Sequence, residues 1–114
     1  MDVTSIDKAE PFATKDGSTI RELHHTAVQS LAEATLEPDQ ATERHYHQAS
    51  EEIYFVVKGA GDMEVDGEHK RIAVGDAVLI PAGAWHSLHN NGTSELRILC
   101  ACVPPYSDAD TYFE

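Results

Sequence analysis

A chain of 114 residues, 41% hydrophobic and 25% charged, can bury one globular core and lacks the composition of a disordered or fibrous polymer. Eight Lys plus Arg against twenty Asp plus Glu leave a net charge of -12. So acidic a surface repels phosphate backbones and anionic lipid, which excludes nucleic acid and membrane as expected partners.

The first ten residues, MDVTSIDKAE, carry three acids and no apolar stretch, so no signal peptide is expected and the protein reads as soluble and cytoplasmic. The longest apolar runs, 53–57 and 98–103, fall far short of the roughly 20 residues that cross a bilayer. Turn signals recur along the chain at Asp16-Gly17, Pro38-Asp39, Gly59 to Gly61, Asp66-Gly67, Gly75-Asp76, Pro81 to Gly83 and Asn90 to Gly92. The segments between them are short and rich in Val, Ile, Tyr, Phe and Leu, the pattern of an all-β sandwich or barrel. Asp16-Gly17 is expected to join a hairpin of 11–14 and 18–24, and Asp66-Gly67 one of 62–65 and 69–74. Residues 28–37 have some helical character but lie among strands, and are assigned as strand. The expected division is N-terminal strands and arm over 1–26, one barrel over 27–105 and a C-terminal tail over 106–114. The first ten residues and the tail are the loosest parts.

His45 and His47 are two apart, so on a strand both imidazoles project to one face. Glu52 opens the strand-like EIYFVV, which is expected to pair antiparallel with the 45–47 segment and so bring its carboxylate to them across a hairpin. Two imidazoles and a carboxylate suit a divalent transition metal; a polar loop rim is the alternative reading of these residues. A second cluster runs Gly75, Pro81, Gly83, His86 and Asn90. Near the end, Cys100 and Cys102 would share a strand face with Cα atoms about 6.6 Å apart, the far limit for a disulfide. They read as reduced, buried strand residues, with a soft metal-ligand pair as the alternative.

Taken together the two clusters resemble the cupin superfamily, small β-barrels of jelly-roll type. The family's first motif is G(X)5HXH(X)3,4E(X)6G and its second G(X)5PXG(X)2H(X)3N. Here the first reads Asp39-(X)5-His45-X-His47-(X)4-Glu52-(X)6-Gly59, and the second is matched at every position from Gly75 to Asn90. The resemblance covers residues 39–90. It implies an all-β cupin-type jelly-roll barrel with His45, His47, Glu52 and His86 as ligands of one divalent metal: Fe, Mn, Ni or Zn. Glu51 is the rival of Glu52, but only Glu52 keeps the interval to Gly59. Asp39 stands where the motif opens with glycine, and Asp tolerates the left-handed backbone such a turn needs. Asn90 reads as a turn residue. The resemblance also implies a homodimer formed through outward β surfaces.

Parity sketches the pocket. Tyr54 and Val56 follow Glu52 inward, and Tyr54 is the candidate hydrogen-bonding or acid/base residue, with aromatic packing as its alternative role. Ser30, Ala32 and Ala34 would leave spare volume, while Ile98, Cys100 and Cys102 face in and Arg97 faces water. Arg21 could reach the interior, Trp85 is assigned to the mouth or a subunit contact, and His24 or His25 could reach the mouth. His69 and His89 are expected at the surface. Four protein donors leave a six-coordinate ion two positions for substrate. The expected function is therefore a metalloenzyme acting on a small oxygenated or carbonyl-bearing molecule, by dioxygenase, isomerase, dehydratase or lyase chemistry. A metal-containing cupin that binds or senses a ligand without turnover is the alternative, and a barrel without metal a third.

Overall fold

In chain order the strands are β1 (Phe12–Ala13), β2 (Thr19–His25), β3 (Ser30–Leu36), β4 (His45–His47), β5 (Glu51–Lys58) and β6 (Ala60–Val65). They continue with β7 (Glu68–Ala73), β8 (Ala77–Ile80), β9 (His86–His89), β10 (Leu96–Val103) and β11 (Thr111–Phe113). The computed structural model describes all residues from Met1 to Glu114. Its strands form a six-stranded sheet, β1-β2-β3-β10-β5-β8, and a five-stranded sheet, β11-β4-β9-β6-β7. Every strand pair is antiparallel. This is the expected all-β jelly roll, although the two sheets do not share a continuous ladder and the barrel is not closed by hydrogen bonds.

The sequence pattern explains which faces meet. Along β5, Glu52, Tyr54 and Val56 are buried while Ile53, Phe55 and Val57 face out, the period of two that a pleated strand imposes. Side chains from both sheets, among them Leu36, Val56, Ile80, Leu88 and Leu96, fill the space between. Residues 28–37 yield β3, and both expected hairpins form, β1 with β2 and β6 with β7. Asp39 takes φ 68°, the left-handed backbone anticipated for it. Asn90 is fully buried and structural: its amide donates to the Leu36 and Ser94 carbonyls, each at 2.9 Å, and its oxygen accepts from Gly92 N.

Two local expectations are overturned. Residues 45–47 do not pair with the strand that follows them. β4 joins the five-stranded sheet beside β9 and β11, while β5 joins the six-stranded sheet between β10 and β8. The reason lies in the link: the amides of Ala49 and Ser50 bind the Asp110 carboxylate and Ser50 Oγ donates to the Pro104 carbonyl. These bonds hold the segment against the C-terminal stretch, so the chain crosses from sheet to sheet there. The C-terminal residues are not a loose tail either, because β11 pairs with β4 in the register Thr111 to His47 and Phe113 to His45. Near the other terminus, Thr4 Oγ1 donates to the Leu23 carbonyl. No helix is long and apolar enough to cross a membrane.

Candidate metal centre

The three histidines come from the five-stranded sheet, where His45 lies directly opposite His86 in the β4–β9 register. Glu52 comes from the facing sheet, so the four side chains meet across the gap between sheets and not across a hairpin. The turn ahead of β9 is fixed to β4, since Gly83 N donates to the His47 carbonyl at 2.7 Å. His45, His47, Glu52 and His86 are all nearly inaccessible to solvent. Each histidine offers a ring nitrogen within 4.8 Å of those of the other two. Glu52 Oε1 stands 3.4 Å from His47 Nε2 and 3.5 Å from His86 Nε2. These are electrostatic contacts, too long for good hydrogen bonds.

The outer nitrogens are already committed. His45 Nδ1 donates to the Glu43 carbonyl at 2.6 Å and His86 Nδ1 to the Ala84 carbonyl at 2.9 Å. A carbonyl accepts only, so the proton sits on Nδ1 and the Nε2 lone pair is left free. His47 Nδ1 lies 3.2 Å from Thr111 Oγ1, whose own hydrogen goes to the Ser107 carbonyl, so the threonine accepts from the ring. All three imidazoles are thereby held in the tautomer a metal requires, by the kind of supporting bond that orients metal-bound histidines. His86 Nε2 and Glu52 Oε1 are buried without a hydrogen-bond partner. Unpaired buried polar atoms are costly, and a cation between them removes that cost. The donor set fits a divalent ion.

Charge balance agrees. Burial opposes ionisation of Glu52, but the neighbouring His47 and His86 outweigh it and hold the carboxyl at about 2. Burial likewise opposes protonation of His47, and Glu52 more than reverses this, raising its proton affinity. Burial and then His86 lower that of His45. Glu52 thus stays ionised through mild acid while His47 competes for protons first. Acidification is therefore expected to release the metal, with His47 taking a proton before His45. Dialysis of loaded protein down to about pH 5, followed by metal analysis, measures this. Undiminished occupancy would mean other ligands.

A contact that the sequence did not show supports this centre. Cys102 pairs with Glu52 in the β10–β5 register, and its thiol donates to Glu52 Oε2 at 3.2 Å. Burial first, and then the Glu52 charge, push that thiol up, so it keeps its proton and donates. Holding Oε2 turns Oε1 toward the histidines. Cys102→Ala is expected to weaken zinc binding by about tenfold to a hundredfold, with Cys102→Ser recovering most of it, measured by competition with a chromophoric chelator. An affinity unchanged in the alanine variant would show that the thiol only fills space. Both cysteines are free.

The centre opens into a cavity of about 60 Å³, room for on the order of four to six waters and hence for a small ligand. Its walls include Ser30, Ala32, Ala34, Ile98 and Cys100, as parity suggested. Tyr54 lines it, with its ring edge-to-face on His86 at 6.0 Å. Burial, then Glu52, raise the Tyr54 phenol well above its ordinary range, so it can donate a hydrogen bond but not act as a base near neutrality. Arg21 does not enter; with Arg97 it attends Glu33 on the other side of the sheet. His25 contacts Glu22, and His69 contacts Asp62; His89 is half-buried, on the opposite parity to His86. Trp85 packs edge-to-face on Tyr46, with Arg44 over its ring. Asp16, Thr14 and Ser18, from the first hairpin, also line the cavity, where the sequence had suggested only a turn.

The profile of the cupin domain matches residues 32–102, and the chain belongs to the cupin family. It is 44% identical over 113 residues to an uncharacterized protein of Methanocaldococcus jannaschii, across 95% of this chain and 90% of that one. It is 28% identical over 83 residues to an oxalate-binding protein of Thermotoga maritima, across 73% of this chain and 69% of that one. Among solved structures, KdgF from a Halomonas species superposes with a TM-score of 0.86 at 19% identity, covering 96% of this chain and 98% of the other. That likeness speaks for the fold alone.

Proposed function

We propose that this protein is a divalent-metal cupin in which His45, His47, His86 and Glu52 hold one Fe, Mn, Ni or Zn ion. In this reading a small oxygenated or carbonyl-bearing molecule binds at the ion and is acted upon there. The observation that carries the reading is the pair of buried, unpartnered atoms, His86 Nε2 and Glu52 Oε1, 3.5 Å apart, with Glu52 lining a cavity. A divalent ion so held would supply Lewis-acid polarisation of a substrate oxygen or, if iron, dioxygen chemistry. The chain's own residues do the rest. Ser30, Ala32 and Ala34 make room, the apolar walls exclude bulk water, and the Tyr54 phenol offers a proton or hydrogen bond to the substrate. Binding without turnover is the second reading, favoured by the description of the Thermotoga relative as an oxalate-binding protein.

Elemental analysis of protein purified without chelators is expected to find about one divalent ion per chain. A panel of small hydroxy and keto acids, incubated aerobically and anaerobically, separates the chemistries: oxygenation needs dioxygen, Lewis-acid catalysis does not, and a pure binder turns over neither. Absence of stoichiometric metal even after reconstitution would sink the whole reading.

The partner we propose besides the small molecule is a second copy of the chain. Across the outer face of the six-stranded sheet, Leu79, Ile53, Ala101 and Leu31 lie in register on four neighbouring strands, and Ala77, Phe55 and Leu99 form the adjacent row. Ile53, Phe55 and Leu79 are 43%, 40% and 57% exposed, and the second row ends at Glu33, whose charge is met by Arg21 and Arg97. Apolar area of this kind favours a twofold contact between identical faces. Sedimentation equilibrium is expected to give a dimer at micromolar concentration, with Phe55→Glu shifting it to monomer. A monomeric wild-type protein would contradict the proposal.

A further inference from the structure

The cavity has a second pole that the metal reading leaves unused. Asp16 lines it from the β1–β2 hairpin. Its Oδ1 is saturated, accepting from Thr14 Oγ1 at 2.6 Å, Ser18 Oγ at 2.7 Å and Ser18 N at 3.0 Å. Its Oδ2 takes no hydrogen bond from the chain. Three bonds to one oxygen fix the carboxylate and leave the other oxygen for something else. The remaining lining is mostly apolar; its other charged groups are Glu22, which faces His25 at the surface, and Glu52, which faces the histidines. No lysine or arginine lines the cavity. His45, His47 and Glu52 line the same cavity, and Glu52 Oε1 is buried without a hydrogen-bond partner. The lining thus carries two patches of different sign once a cation is held: electropositive at the histidines, electronegative at Asp16.

We propose that Asp16 is a specificity-determining residue that receives a hydroxyl or ammonium donor from the far end of a ligand whose oxygens bind at the metal. A ligand of this class has an anionic or carbonyl head and a neutral or cationic tail. One with a carboxylate at both ends meets Asp16 across a small space without a counter-cation, and is disfavoured. The inference rests on the metal reading and narrows it, because polarity at the second pole decides among the small oxygenated molecules that the centre alone would accept.

The test uses zinc-loaded protein and three hydroxamates that chelate identically but differ at the tail: butanohydroxamate (methyl), 3-aminopropanohydroxamate (ammonium) and succinic monohydroxamate (carboxylate). Calorimetry on wild type is expected to rank ammonium at least about tenfold tighter than methyl, and carboxylate at least about tenfold weaker. Asp16→Asn keeps an oxygen acceptor for Thr14 and Ser18, and should bring the three affinities within about threefold of one another. Glu22→Gln should preserve the wild-type ranking. Equal binding of the three by wild type overturns the inference, whether or not the asparagine variant folds; so does a ranking that survives Asp16→Asn, or one abolished only by Glu22→Gln. Failure of all three to bind zinc-loaded protein overturns the metal reading and this inference together, whereas equal binding overturns this inference alone.

Discussion

The His86→Ala variant is expected to purify with less than about a tenth of the wild-type metal and to bind added zinc at least about a hundredfold more weakly. His86 contacts every other member of the cluster: its ring lies 4.2 Å from that of His45 and 5.5 Å from that of His47, and Glu52 Oε1 is 3.5 Å from its Nε2. Removing it takes away a nitrogen donor and leaves the Glu52 carboxylate with one fewer imidazole beside it. The matched control is His89→Ala, three positions along the same strand. His89 lies on the opposite parity, bridged to Ala41 and paired with Asp62 in the register of β6, so its loss should leave metal content unchanged. Thermal melts separate metal loss from misfolding. Chelator should lower the melting temperature of wild type, because an ion bound only to the native state stabilises it, and should do little to His86→Ala. Full metal in the His86 variant, or loss in the His89 variant, would contradict the site as built.

The largest effect on stability alone is expected from Gly59→Ala. Gly59 turns β5 into β6 at φ 80°, and a methyl there would stand 2.5 Å from the Glu95 carbonyl oxygen and 3.1 Å from Leu96 Cα. Those are backbone atoms at the start of β10, which cannot swing aside as a side chain can. Left-handed strain and the forced displacement together cost about 2–5 kcal/mol, or on the order of 10–20 °C in melting temperature for a domain of this size. Gly67 provides the comparison. It has φ 88° with nothing within 4 Å of the added methyl, so Gly67→Ala should cost only the backbone term, about 1 kcal/mol. Chemical denaturation of the two variants side by side reads the difference; equal losses would mean that the crowding at Gly59 relaxes freely.

Much of this was legible in the chain because it is written in short-range terms. The alternation of Glu52, Tyr54 and Val56 with Ile53, Phe55 and Val57 gave the buried face of β5, the Asp16-Gly17 and Asp66-Gly67 turns gave two hairpins, and the spacing from Asp39 to Asn90 gave the family. The pairing of β4 was not legible. Three residues between two strands look like a hairpin loop, and only bonds to Pro104 and Asp110, distant in sequence, make them a crossing between sheets. The same long-range pairing hid Cys102, whose partnership with Glu52 exists only because β10 lies beside β5. Thr111 was hidden too: Thr111-Tyr112-Phe113 favours a strand, but nothing local says that it pairs with β4. Asp16 was read correctly as a turn residue, but no local rule could say that the turn faces the cavity.

The fixing of His47 by Thr111 also bears on when the centre becomes complete. Its hydrogen bond spans 64 residues and that of Cys102 to Glu52 spans 50. A ribosome that has made everything through β9 has already produced all four donor side chains, yet one imidazole lacks its anchor and the carboxylate its thiol. The segment from β10 through β11 therefore supplies both supports of the candidate centre, after every candidate donor has been made.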